Sequence, residues 1–264
     1  MNKKILFAGE SWMTSTTHVK GFDTFYTSTY EEGVGYIREA IIEAGYEFSY
    51  LPNHVALNSF PYTSEELKQY ACVILSDIGS NTLLLPDATF AKGEVRPNRC
   101  QAIKEYVENY ALHDRQFRDI KEYVENGGAF IMIGGYMSFT GIDAKARYGV
   151  TAIKDILPVK CLETDDREEH SEGVIPIVTS DHDALRGLPK EWPHFLGYNK
   201  TIPIEGCEVP VTINGDPLIA FGSFGKGKSA VFTSDCAPHW GTPAFVKWDY
   251  YNKLWKGIID YITI

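Results

Sequence analysis

The segment Gly127-Gly128-Ala129-Phe130-Ile131-Met132-Ile133-Gly134-Gly135-Tyr136 (residues 127–136) decides the fold. Five consecutive apolar residues between glycine pairs read as a strand buried on both faces, and such strands belong to parallel sheets covered by helices. The same grammar recurs outward from it. Ile5–Ala8, Tyr46–Leu51 and Ala71–Leu75 are apolar, strand-like runs. Helical patterns lie between them: Tyr30–Ala44, stopped by Gly45, a short helix from Ser64, and a long stretch up to Asn126. This β-α alternation predicts an α/β protein with a mainly parallel sheet. Ligands of such sheets bind beyond the carboxyl ends of the strands, where Glu10, Asp77, Tyr136 and Asp235 fall.

The second half is less regular. Thr151–Val159 reads as a short helix leading into a strand, Asp165–His170 as a charged loop with an internal Asp–Arg pair, and Trp192–Asn199 as an aromatic connection. Val209–Ile213, Pro217–Gly222 and Lys228–Thr233 are short strands, the last two forming a hairpin around Gly225-Lys226-Gly227. Phe245–Ile262 reads as an amphipathic, aromatic-rich helix, which is compatible with homo-oligomerisation. One heptapeptide, Ile103–Asn109, recurs unchanged as Ile120–Asn126. Their offset turns a straight helix by roughly a quarter turn, so the copies cannot face a sheet alike. A local duplication on the surface of the scaffold is expected.

The whole chain of 264 residues fits one domain, 1–264. A net charge of −10 without clustered Lys or Arg excludes nucleic acid and anionic membrane surfaces as main partners. The five cysteines are scattered and lack CxxC spacing, so no disulfide framework or zinc knuckle is indicated. No apolar run reaches the ~20 residues that span a bilayer, and the cytoplasm is the expected compartment. The histidines at 18, 54, 113, 182 and 194 show no metal-ligand spacing, and Gly222–Gly227 lacks the end of a phosphate loop. No cofactor and no metal is expected; the partner is a small polar molecule.

Two groups carry the candidate chemistry. After the central strand, Gly134 and Gly135 read either as a turn whose amides bind an anion or carbonyl oxygen, with Tyr136 donating a proton, or as a packed glycine turn. In Ser234–Trp240, Asp235 and His239 stand four apart, spaced for an acid/base pair or for a turn cap and a buried imidazole. Cys236 reads as a nucleophile beside His239 or, alternatively, as a small buried hydrophobe. Glu10, Ser11, Trp12, Asp77 and Asn81 add carboxylates, amide donors and, with Trp240, stacking surface for a sugar- or amino-acid-like ligand.

Taken together, Gly9-Glu10-Ser11-Trp12, Lys20–Asp23, Leu75–Thr82, Met132–Tyr136, Leu157-Pro158-Val159, Asp165-Asp166-Arg167, Leu196–Asn199 and Ser234–Gly241 resemble the glutamine amidotransferase-like family, relatives of the class I amidotransferase and ThuA-like folds. The resemblance implies a three-layer α/β/α sandwich, flavodoxin-like, with its site at the carboxyl edge of the sheet. It also implies a strand-to-helix turn carrying a cysteine nucleophile. Here the corresponding turn is Gly134-Gly135-Tyr136-Met137-Ser138, and His239 is followed by Trp240-Gly241 where a His-x-Glu pair would stand. A hydrolase or transferase without the usual Cys-His-Glu triad, a non-catalytic binding domain, and a glutaminase using Cys236 are therefore the readings carried forward.

Overall fold

The computed structural model describes residues 3–61, 63–84 and 117–264. β1 (Lys4–Gly9) is followed by a long hairpin, β2 (Ser11–Lys20) and β3 (Asp23–Glu32), before α1 (Gly35–Glu43) and β4 (Glu47–Leu51). α2 (Asn53–Ser59) and α3 (Ser64–Leu67) lead to β5 (Cys72–Ser76) and α4 (Ser80–Leu84). Helix α5 covers 117–125 and ends at Gly127-Gly128 before β6 (Ala129–Ile133). Then come β7 (Val159–Cys161), β8 (Arg167–Val174), β9 (Ile177–Val178), β10 (Phe195–Asn199), β11 (Thr201–Pro203), β12 (Glu208–Ile213), β13 (Asp216–Phe224) and β14 (Gly227–Phe232). α6 (Pro243–Val246) and α7 (Tyr251–Ile262) follow.

One mixed eight-stranded sheet runs β4-β1-β5-β6-β14-β13-β12-β9. The first five strands are mutually parallel and the remainder antiparallel, as the β13–β14 hairpin requires. Strand periodicity distributes the apolar runs to two cores. Ile5, Phe7, Ile74 and Ile131 pack with Ile37 and Ile41 of α1 and with Leu254, Trp255 and Ile258 of α7. Leu6, Ala8, Val73 and Met132 pack with Ala56 of α2, Leu67 of α3, and Phe117, Ile120 and Val124 of α5. Both faces of the parallel strands are thus covered, as their continuous hydrophobicity demands.

Four expectations are corrected. Tyr30–Ala44 is not one helix: Tyr30–Glu32 end β3, and α1 starts only at Gly35. The alternating Thr, Ser and aromatic residues of 11–32 favour extended backbone, and Gly33 and Gly35 interrupt any helical continuation. Asp165–His170 is not all loop, because β8 starts at Arg167 and pairs with β10 inside the expected aromatic connection. Phe245–Ile262 is split into α6 and α7, and the apolar face of α7 is spent on the core, with Trp255 and Ile258 fully covered. The second heptapeptide copy buries Ile120, Tyr123 and Val124 in the core and exposes Glu122, Glu125 and Asn126, so it is an amphipathic helix and not a surface element alone; the first copy lies outside the described residues. Among the described residues, no helix is long and apolar enough to cross a membrane.

Candidate active site

Four adjacent parallel strands, β1, β5, β6 and β14, deliver their next residues to one edge of the sheet. β1 can enter this edge only through glycine: at Gly9 φ is +121°, and a Cβ would stand 1.7 Å from the Ser76 carbonyl oxygen. Glu10 and Asp77 then both hold left-handed backbone, with φ of 50° and 44°. Non-glycine residues pay about 1–2 kcal/mol for that conformation, a cost that clusters at functional turns. The Glu10 amide donates to Ser76 O at 3.0 Å, which ties the two strand ends together.

The carboxylates delivered here sit close to one another. Glu10 is buried, and its Oε1 accepts from Ser76 Oγ at 2.7 Å. Burial, followed by the negative charges of Asp235 and Asp77, pushes its carboxyl well above the usual carboxylate range. Asp77 accepts from the Met137 amide at 2.7 Å, and burial together with Asp235 pushes it up to about 6. Cys236 is fully buried with Sγ 3.7 Å from Ser76 Oγ, and burial pushes its thiol up. A neutral thiol under the surface is no nucleophile and does not reach a ligand, and of the two readings of Cys236 its burial fits the small buried hydrophobe. Glu10, Asp235 and Cys236 bring one donor atom each within 4.8 Å of one another and are the described group best placed to hold a cation. Each already has a protein partner, and no metal is assigned to them.

Asp235 does two jobs after β14. Its Oδ1 accepts from the Ala237 amide at 2.9 Å, which shapes the turn, and its Oδ2 lies 3.3 Å from His239 Nδ1. Cap and acid/base pair are therefore one arrangement. The His239 side chain is 46% exposed and meets the Tyr136 ring edge-on at 4.7 Å, with Trp240 behind both. Its hydrogen bond to Asp235 raises its pKa above the usual imidazole value, against the opposing effect of burial. Asp235→Asn should therefore lower the His239 pKa, read from the ring protons by NMR titration; an unchanged value would show the pair to be incidental.

Tyr136 donates to Glu169 Oε1 at 2.5 Å, and its ring lies under the Arg167 guanidinium, 5.0 Å from the centroid. That hydrogen bond, chiefly, raises the phenol pKa, so Tyr136 stays protonated, and with its one proton given to Glu169 its oxygen faces a ligand as an acceptor. Arg167 is in turn held by Asp165 at 2.8 Å, the expected Asp–Arg pair. The glycine amides are a correction. Gly134 N donates to Phe232 O at 2.8 Å and Gly135 N to Asn199 Oδ1 at 2.9 Å, so neither is free for an oxyanion. Gly134 is required for packing, since a Cβ there would meet Thr233 O at 2.1 Å. Behind the turn, buried Asp166 accepts from Thr140 N, Gly141 N and Asn199 Nδ2 at 2.8–2.9 Å.

On the far side of Glu10, Trp12 lies over Gly33, and its Nε1 donates to Glu31 at 2.7 Å. Ser11 is buried, its Oγ accepting from the Asn53 amide at 2.8 Å. Asn53 Nδ2 donates to Ser11 O and Asp77 O, while its Oδ1 is buried without a partner among the described residues. Ser11, Trp12, Met13, Tyr30, Asn53 and His54 enclose a largely apolar cavity of about 290 Å³. Asn81 is exposed on α4 and is not drawn into this group. Asn53, Arg167, Glu169, Asp166 and Asn199 were not singled out from the sequence as site residues, because their roles arise only from contacts between distant segments.

No curated protein matches the chain. Among solved structures, it is 41% identical to the cytoplasmic protein STM3548 from Salmonella typhimurium, covering 98% of both chains with a TM-score of 0.86. It is also 41% identical to the cytoplasmic protein STM1381 from Salmonella typhimurium LT2, covering 98% of this chain and 99% of that one with a TM-score of 0.87. A protein named "putative thua-like", from Parabacteroides merdae, shares 9% identity, 98% and 89% coverage and a TM-score of 0.53, a likeness of fold alone. A family model matches residues 4–113 and 109–264, and the break falls at the end of the first heptapeptide copy. With nearly every residue matched, the chain belongs to the family described as GATase1-like, "Putative glutamine amidotransferase".

Proposed function

We propose that this family member is an acid/base enzyme, a hydrolase or transferase acting on a small polar molecule without a cysteine nucleophile. The observation that carries this reading is the Asp235–His239 pair, 3.3 Å apart, with a half-exposed imidazole against Tyr136. Asp235 accepts from Nδ1–H and fixes the tautomer, leaving Nε2 to take or give a proton at the substrate. Tyr136, its proton held by Glu169, offers its oxygen as an acceptor that orients a substrate O–H or N–H. Glu10 and Asp77, whose carboxyls hold protons more tightly than usual, are the reserve donors. Glutamine hydrolysis through Cys236 is set aside on its burial.

A non-catalytic binding role for a sugar- or amino-acid-like ligand is favoured by one feature, the cavity walled by Trp12 and Tyr30 with the unpartnered Asn53 Oδ1. The two-sided packing of the sheet supports a three-layer α/β/α sandwich of the class I amidotransferase type, as one domain over 1–264. The names of the two Salmonella relatives support the cytoplasm, and the acidic charge argues against nucleic acid as partner. The test begins with a library of polyols, sugars, amino acids and their amides, screened for thermal stabilisation and then for turnover. His239→Ala, Asp235→Asn and Tyr136→Phe should each lower turnover, by about 10²–10⁴-fold for His239, while Cys236→Ala leaves it unchanged. A bound molecule recovered chemically intact would favour the binding role. Turnover indifferent to all three substitutions would sink the acid/base reading.

A further inference from the structure

The β2–β3 hairpin, whose base walls the cavity beside Asn53, extends beyond the body of the protein. Every residue from Trp12 to Glu32 is exposed except His18, which is half-buried. The strands pair over their whole length, Ser11 opposite Glu32 through Lys20 opposite Asp23, and turn at Gly21-Phe22. Ten residues at ~3.3 Å each carry the tip roughly 30 Å from the sheet edge. A two-stranded hairpin is marginal in water by itself. Yet this one carries Met13, Val19, Phe22 and Tyr26, each at least 67% exposed.

The register sorts these residues. Met13 opposite Tyr30, Ser15 opposite Ser28, Thr17 opposite Tyr26 and Val19 opposite Thr24 share one face, uncharged over this stretch; its charged side chain is Glu32, opposite Ser11 at the base of the hairpin and bonded to Tyr30. The other face holds the Trp12–Glu31 hydrogen bond, the His18–Phe25 stack, and Lys20 both over the Phe25 ring and opposite Asp23. We propose that the uncharged face is an interface between two copies of this chain, each laying its hairpin on the other's about a two-fold axis.

Three observations select a second copy. The first is area: with aromatic side chains at 150–250 Å² each, the exposed residues of this face and Phe22 offer roughly 700 Å² per hairpin. Two hairpins then supply about 1,400 Å², within the ~1,200–2,000 Å² of stable interfaces. The second is charge. The chain carries −10, so like copies repel except where they meet through a neutral surface, and between Trp12 and Tyr30 only Lys20 and Asp23 are charged, with opposite signs. That composition also lacks the basic cluster an anionic membrane would need. The third is self-complementarity: a flat face of alternating large and small residues, flanked by unpaired strand edges, suits an isologous contact in which each residue meets its symmetry counterpart.

Sedimentation velocity of the full chain, from low to high micromolar concentration, tests this. The unmodified protein should sediment as a dimer or a multiple of it. The triple variant Met13→Glu, Val19→Glu, Tyr26→Glu places like charges across the axis and should weaken association about 100-fold or more, giving monomers at concentrations where the parent is dimeric. Thr14→Glu with Thr16→Glu, on the opposite face, should leave the dimer intact. Circular dichroism and the unfolding midpoint measured on the monomer separate lost association from lost folding; if the triple variant does not fold, oxidation of Ser15→Cys to a covalent dimer decides instead. A monomeric parent protein, an oligomer indifferent to the triple variant, or failure of Ser15→Cys to cross-link would overturn the proposal.

Discussion

Asp166→Ala is expected to lower the unfolding free energy by about 3–5 kcal/mol, as when one partner of a buried charged network is removed. Asp166 is almost completely buried and accepts from two backbone amides and from Asn199. Truncation leaves three donors without acceptors, each worth about 1–3 kcal/mol when orphaned in the interior. The damage does not stop there. Asn199 passes the constraint to Gly135 through its Oδ1, so the turn that presents Tyr136 loses its backing. Urea unfolding should show a lower midpoint with an unchanged slope, and Asp166→Asn should recover part of the loss because one amide oxygen still accepts. A change below about 1 kcal/mol would mean that Thr140, Gly141 and Asn199 find replacements, and that the turn does not depend on Asp166.

Stability should also fall as pH rises from 5 to 8. The Asp77 carboxyl ionises near 3.8 when unfolded and at about 6 when folded. Between those values the folded protein keeps a proton that the unfolded chain has lost, so its contribution is complete below 3.8 and gone above 6. Glu10 acts in the same sense, and so does His239, whose raised pKa removes stability as pH climbs from 6.5 through the folded value. From pH 3.8 to about 6 the Asp77 contribution is on the order of 3 kcal/mol, somewhat under half of it above pH 5. Asp165, held far below the carboxylate range by Arg167, titrates at lower pH and leaves this window untouched. Asp77→Asn keeps an oxygen for the Met137 amide, so it should raise stability at pH 8 and flatten the profile. A profile for the parent protein that is level from pH 5 to 8 would show that these carboxyls are not crowded.

How much of this was legible in the sequence depends on whether a residue's role is local. The central strands announced themselves through uninterrupted apolar runs and glycine stops, and those stops located Glu10, Asp77, Tyr136 and Asp235. The hairpin was missed because its Thr- and Ser-rich strands expose both faces, which removes the one-sided hydrophobic alternation that marks a strand. β8 was hidden by its charges, since Arg167 and Glu169 point to partners instead of to a core. The fate of the Gly134 and Gly135 amides rested on β14 and Asn199, far away in the chain, and no local pattern encodes that.

The strand order carries a last consequence, for synthesis. β14 lies between β6 and β13 in the sheet, and its following turn supplies Asp235 and His239. In a nascent chain that has completed β1, β4, β5 and β6, the β6 flank lacks its sheet neighbour until residues 227–232 emerge from the ribosome. During that interval an apolar strand edge is open to other nascent chains. Tyr251 of α7, whose hydroxyl donates to Cys236 O at 2.7 Å, fixes the last site turn later still. The acid/base pair thus depends on the last-made part of the chain, and a chain that stops short of it lacks the chemistry.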